Sequence, residues 1–150
     1  MIKKITCLIS ILLLLNRANL SSQTGDSVCI IGRSCYKTPS EAFANAKDGD
    51  KIEVYAGTYK DVAVLIANNV TVTGIGGKPL IDAKDKIAEG LGIWIICGNN
   101  TTLDNFEMIN EDNGLRGESA WNQAAIYLKG NNLTMRNMYI HNCISNVNFI

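Results

Sequence analysis

Three carboxylates, Asp82, Asp85 and Glu89, stand within one short stretch of the chain. Hard oxygen donors at that density suit a calcium ion, although a solvated turn is the simpler reading of the same stretch. Asp104 and Arg136 offer a second pair, able to act as a catalytic cation with its counter-charge or merely as a surface ion pair. His141 is the one histidine in the chain and the natural candidate for a general base; a hydrogen-bonded turn residue is the plainer alternative. Trp121 and Tyr127 carry aromatic rings that can stack on sugars. Glu111, Asp112, Arg116 and Glu118 decorate a polar stretch over 110–123 and read as a solvated loop. Among the 5 cysteines, Cys29 and Cys35 bracket a short segment that a disulfide can close, and Cys97 and Cys143 read as buried thiols. A single histidine and no C-x-x-C leave nothing with which to build a zinc site.

Composition bounds these options. The 150 residues hold 14 Lys+Arg against 14 Asp+Glu, for a net charge of +0. No cationic excess is present to neutralise phosphates, so a nucleic-acid partner is not expected. Hydrophobic residues at 47% and charged residues at 19% describe a folding chain, with length for one modest domain. Residues 1–22 read as a secretory signal: Lys3 and Lys4 precede an apolar run from Ile5 to Leu15, too short to span a bilayer. The expected location is therefore secreted, periplasmic or at the cell surface, where a disulfide between Cys29 and Cys35 persists. Cys7 leaves with the leader.

A repeat organises the elements that must position these side chains. Asn68-Asn69-Val70-Thr71-Val72 recurs as Asn99-Asn100-Thr101-Thr102-Leu103 and as Asn131-Asn132-Leu133-Thr134-Met135, with offsets of 31 (68 to 99) and 32 (99 to 131). Leu65, Ile96 and Leu128 align upstream, as do Ala63, Trp94 and Ile126. Short alternating strands hinged at Asn-Asn fit the pattern, because Asn tolerates the left-handed backbone of a sharp bend. One unit cannot bury its apolar side alone. Stacking units at about 4.8 Å places like residues over like and makes a shared core. The expected inward columns are Val72, Leu103, Met135 and Ile75, Phe106, Met138. Asn69, Asn99, Asn100 and Asn132 also satisfy N-x-[ST], which the repeat explains without glycosylation.

Before the first unit, Thr38-Pro39-Ser40-Glu41 has the form of a helix start, with Thr as N-cap, Pro at the first position and Glu three residues on. Ala42, Phe43 and Ala46 form an apolar face, and Gly49 ends the helix, predicted over 38–48. Such a helix plugs the open apolar end of a stack.

Ser40-Glu41-Ala42-Phe43, Ala46-Lys47-Asp48-Gly49-Asp50-Lys51-Ile52-Glu53-Val54 and Ala56-Gly57-Thr58-Tyr59 resemble the opening of pectin-lyase-like right-handed parallel β-helix proteins. Val72-Thr73-Gly74-Ile75-Gly76-Gly77-Lys78-Pro79-Leu80-Ile81-Asp82 resembles their second strand and turn. The resemblance spans Tyr36 to Asn142 and implies fold rather than activity, since lyases, hydrolases and non-enzymes share it. Lyases of the superfamily use a Lys or Arg base with calcium, and hydrolases use clustered aspartates. This chain has no Asn-Thr-Asp, Gly-His-Gly or Arg-Ile-Lys. Trp94-Ile95-Ile96 begins like the Trp-Ile-Asp-His of pectate lyases, but Cys97 follows where an acid is needed.

The expectation is an all-β chain, a right-handed parallel β-helix (solenoid) with an N-terminal capping α-helix. Residues 1–22 form the signal and 23–37 a segment with the disulfide. Residues 38–150 form the β-helix, with Val147, Phe149 and Ile150 entering a further coil that is left incomplete. The expected role is association with a polysaccharide or cell-surface glycan, without catalysis. The alternative is a calcium-assisted polysaccharide lyase or a truncated remnant of one, so enzymatic activity stays open. An open last coil also implies self-association.

Overall fold

A computed structural model describes residues 27–84, 86–110, 124–143 and 145–149. The expectations placed on Met1–Ser22, Cys7, Asp85, Glu111, Asp112, Arg116, Glu118, Trp121 and Ile150 lie outside the described residues. β1 (Val28–Ile30) and β2 (Cys35–Tyr36) form an antiparallel hairpin, and α1 (Pro39–Ala44) follows. The chain then passes through three strands in turn, four times over. The first tier is β3 (Lys51–Tyr55), β4 (Thr58–Tyr59) and β5 (Ala63–Leu65); the second is β6 (Thr71–Ile75), β7 (Leu80–Asp82) and β8 (Gly92–Ile96). The third is β9 (Thr102–Asp104), β10 (Glu107–Ile109) and β11 (Ala124–Leu128); the fourth is β12 (Thr134–Arg136), β13 (Tyr139–His141) and β14 (Ser145–Phe149).

Like strands pair with like. The first sheet runs β12-β9-β6-β3-β1-β2, the second β13-β10-β7-β4 and the third β14-β11-β8-β5. Every pairing between tiers is parallel; among the described residues the antiparallel strand pairs are β1 with β2 and β1 with β3. The chain is thus all-β in character, with parallel sheets.

The repeat offsets set the register. Val72 pairs with Leu103, and Leu103 with Met135, as the aligned apolar positions require. Ala63, Trp94 and Ile126 stack in the third sheet, with Leu65, Ile96 and Leu128 beside them. Side chains alternate across a strand, so these columns face one interior. There Trp94 meets Phe43 of α1 and Phe106, each edge-on with centroids 5.1 Å apart.

Two expectations change. The second column loses Ile75, which pairs with Tyr55 at the end of a five-residue strand and sits half-buried. Val72 and Gly74 face inward in that strand, so Ile75 falls on the opposite face. The strand runs straight through to Ile75 because Gly74 stands where Asn105 bends the next tier. The turn is deferred to Gly76 and Gly77, both at positive φ. Pro79 then arrives level with Phe106, since Glu107 N–H donates to the Pro79 carbonyl at 2.9 Å.

The helix also ends early. Thr38 caps it by accepting from Glu41 N–H, and Pro39 fills the first turn, but it closes at Ala44 with Asn45 as C-cap. Asp48, assigned to the helix from the sequence, is needed elsewhere. Its Oδ1 accepts from Asn68 N–H at 2.8 Å and its Oδ2 from the Asn68 side-chain amide at 3.1 Å. Further, β1 pairs with β3, with Val28 opposite Val54 and Ile30 opposite Ile52. Residues 28–36 therefore supply the lowest strands of the first sheet.

Candidate functional site

The corner between the third and first sheets is built from amides. Asn99 offers its backbone N–H and its Nδ2 to Asn68 Oδ1, both at 3.0 Å, and Asn131 repeats both bonds to Asn99 Oδ1 at 3.0 Å. A second ladder lies beside it: Asn100 Nδ2 donates to Asn69 Oδ1, and Asn132 Nδ2 to Asn100 Oδ1, each at 2.9 Å. Asn69, Asn100 and Asn132 hold φ of 57°, 55° and 59°, and Gly49 holds 84° at the same place in the first tier. Asp48 closes the first ladder from below, and these hydrogen bonds from Asn68 hold its carboxyl below the usual carboxylate range. Nothing in this corner is reactive; it fixes the register of the sheets.

The chemistry-bearing side chains sit across the molecule, on the outward faces of the first and second sheets. Asp104 and Arg136 pair in register, with Nη2 to Oδ2 at 3.2 Å. Asp104 Oδ1 also accepts from Asn137 Nδ2 at 2.8 Å. Asn105 and Asn137, at φ 68° and 52°, turn the chain from the first sheet into the second. Asn105 Nδ2 ties that corner to the carbonyls of Gly74 and Gly77 at 2.9 and 2.8 Å. The Lys78 ammonium reaches across two tiers to the Asn137 carbonyl.

Past the corner, β10 and β13 present Glu107, Tyr139 and His141 outward, while Met108 and Ile140 turn in. Glu107 pairs in register with Tyr139, which sets it diagonal to His141. Glu107 Oε1 lies 2.9 Å from His141 Nε2. The His141 ring stacks on Tyr139 with centroids 4.5 Å apart and planes at 25°. Tyr139 keeps 55% of its surface exposed. A carboxylate therefore holds an imidazole, and the imidazole backs an aromatic ring that faces solvent.

The remaining sequence candidates fall elsewhere. Asp82 lies at the end of β7 with Lys84 Nζ 3.2 Å from its Oδ2, and Glu89 holds Lys129 Nζ at 2.7 Å. Each described carboxylate of the suggested calcium trio thus already faces an ammonium. No group of three possible metal-ligating side chains gathers among the described residues. Tyr127 is half-buried on the third sheet between Ile95 and Asn148, away from the second-sheet face. Cys29 and Cys35 are directly opposed across the β1–β2 hairpin and joined by a disulfide, with Cα atoms 3.9 Å apart. Cys97 and Cys143 are free, and burial pushes both thiols up.

Glu107 is the residue that sequence reasoning missed. Its signal was present: it follows the corner Asn105 by two, as Tyr139 follows Asn137, so register places the two side by side. Read as a turn residue, His141 was not placed on the strand that pairs with Glu107 to Ile109. No helix among the described residues is long and apolar enough to cross a membrane. Comparison of the chain with protein-family models, with curated proteins and with solved structures finds no match to any of them.

Proposed function

We propose that this chain is a right-handed parallel β-helix of the pectin-lyase-like kind, capped at its lower end by α1, that binds a glycan on the outward face of its second sheet. The observation that carries the reading is the Tyr139–His141 stack pinned by Glu107. A pyranose ring has an apolar C–H face that packs on an aromatic plane, and hydroxyls at its rim that need polar partners. Tyr139 supplies the plane. Glu107, His141 and the Tyr139 hydroxyl supply donors and acceptors around it. Because His141 is already held, little freedom remains to be lost when a sugar docks.

Binding without turnover is favoured because the carboxylates nearby are engaged. Asp104 is shared between Arg136 and Asn137, and Glu107 is committed to His141. A leader at 1–22 would deliver the protein to the compartment where glycans are displayed.

The test is affinity electrophoresis of the purified chain through gels loaded with neutral and acidic polysaccharides. At least one gel should retard the wild type and fail to retard Tyr139→Ala. Release of new reducing ends or unsaturated products, with or without calcium, would replace this reading by the lyase alternative. Equal mobility of both proteins in every gel would remove it.

A further inference from the structure

We infer that His141 makes the outward face of the second sheet sensitive to pH: on taking a second proton the imidazole tightens on both Glu107 and Tyr139, and the face holds a glycan more strongly in mildly acidic than in alkaline surroundings. The inference rests on the glycan-binding reading and adds a regulator to that site.

The geometry sets the ring between two groups that respond to its charge. Glu107 Oε1 lies 2.9 Å from Nε2, and the Tyr139 ring is stacked with centroids 4.5 Å apart and planes at 25°. Because a carboxylate only accepts, the neutral imidazole carries its proton on Nε2, and Nδ1 is the position left to take the second. Among the described residues Nδ1 has no hydrogen-bond partner, and the side chain keeps 28% of its surface exposed, so solvent can deliver that proton. Histidine is the side-chain type that changes charge between about pH 5 and 8.

The second proton leaves both contacts in place and strengthens each. The bond to Glu107 then joins two ions of opposite sign instead of one ion and a dipole. The face of Tyr139 then meets a cation, which the ring quadrupole attracts. Both rings thus lose freedom before a sugar arrives rather than on its arrival, and the cost of docking falls. The change at Nδ1, from acceptor to donor, has no sign of its own, since a sugar hydroxyl serves as either partner.

The surrounding charges do not reverse this direction. Beneath β13, β10 contributes Glu107 and the uncharged Ile109, and Asp82 one tier further down faces Lys84. Before the corner, Arg136 on β12 is paired with Asp104, and the Lys78 ammonium meets the Asn137 carbonyl. Cys143 donates its Sγ–H to the His141 carbonyl, and burial pushes that thiol up, so it stays uncharged. The described residues 145–148 of β14 hold no ionisable side chain. Among the described residues Glu107 is therefore the charged group in contact with the imidazole.

His141 is the one histidine in the chain, so every histidine signal in an NMR titration belongs to it. As that signal titrates, relaxation of the Tyr139 ring should report greater order at about pH 5.5 than at about pH 8, and His141→Gln should abolish the difference. A Tyr139 ring equally ordered at both pH values, or a difference that persists in His141→Gln, overturns the inference whatever the sugars do. The second measurement is affinity electrophoresis at the same two pH values, each mobility taken relative to a sugar-free gel. Neutral polysaccharides and uronates keep a constant charge over this range. A gel that retards the wild type should do so at least about 3-fold more strongly at the lower pH, and should retard Tyr139→Ala at neither. Retardation that depends on Tyr139 but is equal at both pH values, or stronger at the higher, overturns the inference and leaves the glycan reading standing. A wild type retarded by no polysaccharide at either pH removes both.

Discussion

Asp48 and Asn68 meet through two hydrogen bonds, backbone N–H to Oδ1 at 2.8 Å and side-chain amide to Oδ2 at 3.1 Å, and on this contact the stack of Asn68, Asn99 and Asn131 rests. The carboxyl of Asp48 is held below the ordinary carboxylate range by these bonds. A depressed carboxylate pKa contributes stability that is present above the unfolded value and lost as pH falls through the folded one. Melting temperature should therefore decline on acidification below about pH 4, and more so in wild type than in Asp48→Asn. The amide in Asp48→Asn can still accept both bonds at one oxygen, as Asn68 does for Asn99. Asp48→Ala, which removes both acceptors, should be the less stable variant at neutral pH. Thermal melts across pH check all three statements, and equal pH slopes for wild type and Asp48→Asn would contradict the first.

Gly98 and Gly130 stack one tier apart under a different constraint. A Cβ on Gly98 would lie 1.8 Å from the Ala67 carbonyl oxygen, and one on Gly130 would lie 2.3 Å from the Gly98 oxygen. Backbone atoms cannot swing aside as a side chain can. Gly98→Ala should cost at least about 1–3 kcal/mol, and Gly130→Ala should also destabilise. Gly49→Ala meets no atom but is strained by its φ of 84°, so its cost should be closer to about 1 kcal/mol. Denaturant titration ranks the three. A Gly98→Ala protein as stable as wild type would mean that the tiers do not approach this closely.

The repeat made these stacks legible, since a shared offset of 31 or 32 fixes which residues lie over which. It fixed the ion pair Asp104–Arg136 and both asparagine ladders for the same reason. It failed at Ile75 because a period says where a residue sits along a tier, not how far a strand runs before it turns. Gly74 in place of a bending asparagine, with Gly76-Gly77-Lys78 inserted after it, changed that length. Glu107 was missed on other grounds. Its partner is 34 residues away, one tier plus two positions, a diagonal contact that alignment of like with like does not display. The hairpin β1–β2 carries no repeat at all, and only the Cys29–Cys35 spacing hinted at its closure.

Trp94 makes the interior's one polar compromise among the described residues. It is fully buried, and its Nε1 has no hydrogen-bond partner there. An unpaired buried donor costs about 1–3 kcal/mol. Trp94→Phe removes that donor along with part of the ring, so gain and loss offset. Phe106→Ala removes a ring in edge contact with Trp94 and leaves only a cavity, at about 3–5 kcal/mol. Chemical denaturation should show Trp94→Phe to be the milder change by at least about 1 kcal/mol. A larger loss for Trp94→Phe would mean that its nitrogen is satisfied in solution.

The cysteines of the described chain should divide cleanly. Cys29 and Cys35 are bonded to one another, whereas Cys97 and Cys143 are free thiols pushed up by burial. A raised pKa lowers the thiolate fraction, and the thiolate is what an alkylating reagent attacks. Without reductant, folded protein near pH 7 should be labelled slowly, at Cys97 and Cys143 only. Raising the pH to about 9 or adding denaturant should accelerate both. Labelling of Cys29 or Cys35 before reduction would contradict the disulfide.

Glu107 tests whether the Tyr139 face is a built platform or an accidental one. A carboxylate accepts only, so the contact at 2.9 Å requires the proton on His141 Nε2. Nitrogen-detected NMR of the neutral ring should find the Nε2–H tautomer in wild type and a mixture in Glu107→Ala. If the imidazole backs Tyr139 only while Glu107 holds it, removing the carboxylate restores rotational freedom to both rings. Glycan affinity then falls although Tyr139 itself is intact. A drop of roughly 5-fold, worth about 1 kcal/mol, fits one lost hydrogen bond and its ordering. Glu107→Gln keeps an acceptor in place and should retain most of the affinity. Were Glu107→Ala to bind like wild type while Tyr139→Ala did not, the tyrosine would act alone and the triad would be a surface contact without a part in recognition.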